Sequence, residues 1–259
     1  MRAVTRAAGG AISRCELEFL ARVPLDPVQA ALQHQAYEQC LRELGLDVIS
    51  LPADDRFPDG LFVEDPAIVL DEIGVICRPG AASRRGETAS LAAALAPFRR
   101  LEWIREPATI EGGDVMRLGQ TIFCGISRRT NEEGARQLGE IVRPFGYRVQ
   151  PVKVAGCLHL KSAICPIAAD TVLANPRWID IRPFEALRVL PVPGDEPSAA
   201  NVLRIGDTIL MPSSFPNTRK LLERNGSRVL ALDISELQKA EAGVTRSSLI
   251  FESGTEARA

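Results

Sequence analysis

The segments DVMRLGQTIF (114–123) and NVLRIGDTIL (201–210) match at most positions by identical or similar residues. Each reads as two short apolar strands joined through a tight Gly-Gln or Gly-Asp turn. AICPIAADTVLA (163–174) is a looser copy, and IVLDEIGVIC (68–77) is looser still. A hairpin followed by a helix and a further strand, recurring four or five times, points to a repeat architecture and away from one open doubly wound sheet. The expected fold is a single α/β domain over 1–259 built from pseudo-symmetric ββαβ units. No linker divides it, and the tail EARA is expected to fray.

Between the hairpins, helix signals are local. Asp26 as N-cap and Pro27 at the first position open a helix whose apolar face is read as Val28, Leu32, Ala36, Cys40, Leu41 and Leu44; Gly45 closes it and VISLP follows as a strand. Further helices are expected over about 87–96, 131–142, 217–224 and 235–242, with Thr130 and Glu133 as a capping box for the second of these. CLHLKSA (157–163) reads as a strand with Cys157, His159 and Lys161 on one face, and GVTRSSLIF (243–251) as a strand from Val244.

Charge and cysteines narrow the function classes. With 31 basic against 33 acidic residues, nothing drives the chain toward nucleic acid or a membrane surface. No segment has the apolar length of a membrane span, and charges interrupt the N-terminus before a signal-peptide core forms. Six cysteines without CxxC spacing suit reduced thiols in a cytoplasmic protein. No metal and no cofactor is expected: one His and one Cys in CLHLKSA do not complete a coordination sphere.

Four clusters carry chemistry. In FPDGLFVEDP (57–66), Asp59, Glu64 and Asp65 crowd a turn whose Phe62 and Val63 imply partial burial, so the carboxylates need a cation. In TIEGGDV, Glu111 precedes two glycines, where the backbone bends and other side chains approach; a hairpin bulge is an equal reading and a phosphate loop a weaker one. SRRGET and SRRTNEEG place arginine pairs before helix starts, where they can hold an anion or form surface ion pairs. The fourth is His159, one of only two histidines, with Cys157 two residues away.

Taken in order, FPDGLFVEDP, RPGAASRRGET, EPATIEGGDVM, SRRTNEEGARQL, CLHLKSA and SAANVLRIGDTILMP resemble the bacterial dimethylarginine dimethylaminohydrolases of the guanidino-modifying pentein superfamily, over about residues 20 to 251. The resemblance implies an α/β propeller, a fan of five ββαβ units, and hydrolysis of Nω-methylated arginine by a cysteine thiolate to citrulline and an alkylamine. It implies that Asp65 and Glu64 hold the guanidinium with Asp59 nearby, that His159, oriented by Glu111, is the proton shuttle, and that Arg84 and Arg129 grip the substrate carboxylate, with Leu20 also at the substrate. The partner would be a small arginine-like molecule, and the protein a monomer or homodimer.

The last motif departs from the pattern. Where the family has a glycine, an aliphatic residue, Ser or Thr and then the nucleophilic cysteine, Gly243, Val244 and Thr245 are followed by Arg246. An arginine stays protonated and is no nucleophile. No register shift restores the thiol, because no cysteine follows Cys165. Either Arg246 takes the guanidinium's place beside Asp65 and Glu64 in a non-hydrolytic homologue, or the chemistry has changed, with Cys157 as a displaced nucleophile or Arg246 receiving an anionic substrate.

Overall fold

In the computed structural model, which describes residues 1–252, the fifteen strands form five separate three-stranded sheets. The EARA tail lies outside the described residues. Four sheets are local: an antiparallel hairpin whose second strand pairs in parallel with a third. They are β3 (Ala67–Val69), β4 (Ile73–Ile76) and β5 (Arg100–Trp103); β6 (Val115–Leu118), β7 (Thr121–Ile126) and β8 (Arg148–Lys153); β9 (Ile164–Pro166), β10 (Thr171–Ala174) and β11 (Arg188–Pro191); and β12 (Leu203–Ile205), β13 (Thr208–Pro212) and β14 (Arg228–Leu232). The fifth joins the two ends of the chain: β1 (Arg2–Arg6) pairs antiparallel with β15 (Leu249–Phe251) and parallel with β2 (Asp47–Leu51). That is the expected fan of five units, closed by the first and last strands.

The hairpin turns need glycine. Gly119 and Gly206 adopt φ of 58° and 57°, the left-handed region where a Cβ is strained. Helices α1 (Pro27–Glu43), α2 (Thr88–Leu95), α3 (Glu132–Val142) and α5 (Pro216–Arg224) carry four of the parallel crossovers; the crossover between β10 and β11 has only the 3-10 turn Arg182–Phe184. The first strands of the five hairpins, β3, β6, β9, β12 and β15, surround an axial cavity of about 240 Å³.

Several local expectations are corrected. The buried face of α1 is Ala30, Gln33, His34, Tyr37, Glu38, Cys40 and Leu41, whereas Val28 and Leu32 are exposed. The polar members are buried because they have distant partners: Gln33 bonds Ser235, and Glu38 accepts from Thr5 and Ser50. The N-cap of α3 is Asn131, which accepts from the Gly134 amide, while the Thr130 hydroxyl is turned inward to Asp114. CLHLKSA is no strand: it is a bend leading into the one-turn helix α4 (Leu160–Ala163), because the Asp114 carboxylate takes the Leu160 amide. Residues 244–247 form a turn, so β15 begins only at Leu249, and the last helix, α6 (Ser235–Gln238), is shorter than read. Among the described residues no helix is long and apolar enough to cross a membrane.

Candidate functional site

Segments from four units meet where the strands of the fan end. The turn 59–65 folds on backbone bonds from the Phe62 and Asp65 amides to the Asp59 and Phe62 carbonyls, and Glu64 donates its amide to the Arg246 carbonyl. Gly112 donates to the Asp65 carbonyl at 2.9 Å. A Cβ on Gly112 would stand 2.0 Å from the Glu64 carbonyl oxygen, and one on Gly113 2.7 Å from the His159 ring. The glycine pair is thus needed for the close approach of the three segments, which is what brings Asp65, Glu111 and His159 together.

His159, 1% exposed, sits among three carboxylates. Its Nδ1 lies 3.2 Å from Asp114 Oδ2, and its Nε2 3.4 Å from Glu111 Oε2 and 3.5 Å from Asp65 Oδ1. Burial disfavours the imidazolium, but the charges of Asp65, Asp114 and Glu111 together outweigh it and raise the pKa above the usual imidazole value. Asp114 anchors the ring and the loop at once, taking the Leu160 amide on Oδ1 and the Ser127 and Thr130 hydroxyls, both at 2.7 Å, on Oδ2. Sequence reasoning did not single it out, although it stands three residues after Glu111 in the same motif. The other Glu111 oxygen accepts from the Gly80 amide at 3.1 Å and faces Arg129 at 3.5 Å.

Asp65 is fully buried, and its Oδ2 takes two guanidinium groups: Arg84 Nη1 at 2.5 Å, and Arg246 Nη2 at 2.6 Å with Nε at 3.1 Å. Burial alone would raise the Asp65 carboxyl, but Arg246, His159 and Arg84 hold it well below the usual carboxylate range. The Arg246 guanidinium carbon lies over the Phe62 ring, 4.3 Å from its centroid, and Nη1 reaches the Ala240 and Glu241 carbonyls. This is a seat for a planar cation, with a carboxylate at one side and a ring face beneath, and Arg246 fills it.

The remaining expected residues divide. Arg84 is 1% exposed, and its fork is turned inward to Glu87, Asp65 and the Asp59 and Phe62 carbonyls, away from any open surface. Arg129 bonds the Glu18 carboxylate. Glu64 does not reach the Arg246 guanidinium; it pairs with Lys161 and accepts from Thr245 Oγ1 at the inner end of the axial cavity. Burial nonetheless raises its pKa more than Lys161 lowers it. Asp59 accepts the Glu16 amide. Leu20, 51% exposed, borders a second cavity of about 480 Å³ that also touches Cys157, Trp178, Phe215 and Gly243. Its amide, with those of Glu18 and Phe19, is held by one carboxylate oxygen of Glu241, itself at φ 56°.

Cys157 is not placed for attack. Its thiol is buried, donates to the His159 carbonyl at 3.3 Å, and is pushed up to about 12 by burial and then by Asp114. All six cysteines are free and buried, and burial raises the pKa of each. As donors for a cation, Asp65, Glu111 and His159 offer three atoms within 4.8 Å of one another.

A sequence profile for the eukaryotic N,N dimethylarginine dimethylhydrolase matches residues 27–180. The chain is 37% identical over 228 residues to the N(G),N(G)-dimethylarginine dimethylaminohydrolase of Pseudomonas aeruginosa, covering 87% of this chain and 90% of that one. It is 38% identical over 241 residues to the enzyme of the same name from Streptomyces coelicolor, covering 93% and 91%. The solved structure of the Pseudomonas aeruginosa protein, a cysteine-to-serine mutant complexed with citrulline, superposes with a TM-score of 0.93 at 34% identity over 96% of this chain and 98% of that one. The N-terminal domain of ArgZ, a cyanobacterial arginine dihydrolase, shares the fold at a TM-score of 0.87 and 18% identity, over 96% of this chain and 97% of that domain.

Proposed function

This chain belongs to the dimethylarginine dimethylaminohydrolase family, and from that premise we propose that it is a self-occupied, non-hydrolytic member: a guanidino site whose guanidinium seat holds its own Arg246. The observation that carries this is the Arg246 fork on Asp65 Oδ2, stacked on Phe62. An arginine-like ligand needs the same carboxylate, so it binds only by displacing Arg246. The relatives support a dimethylargininase-like chemistry as the origin of the site, and the crystallised relative carries citrulline.

Most of the machinery for that chemistry is retained in this reading. Asp65 polarises the planar cation, and His159, held at Nδ1 by Asp114 with Nε2 facing Asp65 and Glu111, is set to shuttle a proton to a leaving amine. What is absent is a thiolate at the guanidinium carbon. Arg246 supplies none, and Cys157, protonated near neutral pH with its thiol bonded to a carbonyl, supplies none either.

Calorimetric titration of Nω,Nω-dimethylarginine into the protein and into Arg246→Ala tests the reading. The truncated variant is expected to bind at least about tenfold tighter, the gain that follows when a competing intramolecular cation is removed. Equal affinity for both would overturn it.

A further inference from the structure

The cavity of about 480 Å³ beside Leu20 has twice the volume of the axial one, and none of Asp65, Glu111, His159 and Arg246 lines it. Its size is that of a small-molecule site, about 300–1,000 Å³. Three rings face into it, from Phe19, Trp178 and Phe215. Trp178 is fixed in place: its carbonyl takes the Ala155 amide at 2.7 Å, and its own amide donates to the Asn175 carbonyl at 3.1 Å. Gly156, at φ 84°, lets the backbone lie against the indole, where a Cβ would stand 2.8 Å from Cδ1.

Charge selects what the cavity can hold. Glu241 is its only ionised lining residue, because the Cys157 thiol is protonated and no basic side chain takes part. One negative charge is therefore unbalanced there. The carboxylate is nonetheless closed to a ligand's hydrogen bonds. Its Oε1 already accepts the Glu18, Phe19 and Leu20 amides, and its Oε2 is buried with no partner among the described residues. The lining amides are also engaged: Asn201 bonds Thr245 and the Lys161 carbonyl, and Gln238 Oε1 accepts from Ser214. A guanidinium or primary amine, which must donate hydrogen bonds, finds no open carboxylate fork here.

We propose that this cavity is a second ligand site, for an organic monocation whose charge needs no hydrogen bond: a methylated ammonium group on an apolar body. The rings of Phe19, Trp178 and Phe215 offer such a head their negative faces, and Glu241 adds its charge through space. Leu20, Leu158 and Pro212 supply apolar surface for the body. The site is independent of the guanidinium seat. Arg246 reaches the same turn only through the Ala240 and Glu241 carbonyls, and a ligand in the cavity leaves those bonds in place.

The probe is choline, and its control is 3,3-dimethylbutan-1-ol, which has the same shape without the charge. Trp178 reports binding by its fluorescence: the chain has two tryptophans, and Trp103→Phe at an exposed position leaves Trp178 alone. Saturable quenching by choline is expected in that variant, with affinity at least about fivefold above that for the neutral isostere. Adding Glu241→Gln is expected to lower choline affinity by a similar factor and to leave the isostere unaffected. Absence of saturable quenching, equal affinity for the two molecules, or choline affinity unchanged by Glu241→Gln overturns the site. The comparison of the two molecules needs no change at Glu241, so it decides even where that variant does not fold. Choline affinity that rises in Arg246→Ala would place the cation at Asp65 and overturns the site as well.

Discussion

Arg246 Nη2 lies 2.6 Å from Asp65 Oδ2 with both side chains at 5% exposure or less. Two groups taken so far out of water are stable only together, and Asp65 serves a second guanidinium, Arg84, through the same oxygen. The pair links the turn at 244–247 to the turn at 59–65.

Removing the carboxylate leaves the buried Arg246 without an acidic partner and Arg84 with Glu87 alone, whereas removing Arg246 leaves Asp65 still paired with Arg84. Asp65→Asn is therefore expected to lower unfolding free energy by about 3–5 kcal/mol and Arg246→Met by less, read from urea denaturation. A larger loss in Arg246→Met would show that the pair is not organised around Asp65.

Thiol chemistry should be silent in the native state. With every cysteine buried and Cys157 raised to about 12, an aromatic disulfide reagent at pH 8 is expected to label none of the six until denaturant is added. Arg246→Cys should add one reactive thiol beside His159. Rapid labelling of Cys157 in the unaltered protein would reopen its role as nucleophile.

His34 gives the fold a pH dependence of its own. Burial drives it down to about 4, against the opposing charge of Glu38 and a bond to the Ser247 backbone. Because its folded pKa lies below the unfolded value of 6.5, unfolding takes up a proton in between. Stability from this group is complete above pH 6.5 and is lost as pH falls toward 4, by up to about 3 kcal/mol. Denaturation midpoints for the protein and His34→Gln between these pH values check it, and an identical slope in the variant would contradict it.

The backbone amides of residues 18–20 are held by one side chain. Glu241→Ala frees the amides of Glu18, Phe19 and Leu20 from their shared carboxylate oxygen. Bonds to a charged group contribute about 1.5–3 kcal/mol, so exchange of those three amides should accelerate by about 10- to 100-fold while β7 and β13 are unaffected. Uniform acceleration across the sheets would instead mean global destabilisation.

The repeat was legible because its turns are local: a glycine at positive φ between two apolar strands is a signal contained in ten residues, as at Gly119 and Gly206. The buried face of α1 was not, since Gln33 and Glu38 are made burial-compatible by partners elsewhere in the chain, Ser235 at the far end among them, while Val28 and Leu32 face outward. For the same reason CLHLKSA misled: its alternation fits a strand, and only the distant Asp114 carboxylate turns Leu160 into a helix start. Of the candidate site, Asp65, Glu111, His159 and Arg246 were each singled out from motifs, and the structure brings them together. The inward turn of Arg84 and the anchoring by Asp114 depend on geometry that no spacing encodes.

The most direct measurement is citrulline release from Nω,Nω-dimethylarginine by the protein and by Arg246→Cys. The account predicts none from the unaltered chain and turnover from the variant, in which one substitution both vacates the guanidinium seat and supplies the nucleophile. Citrulline formed by the unaltered chain would contradict it.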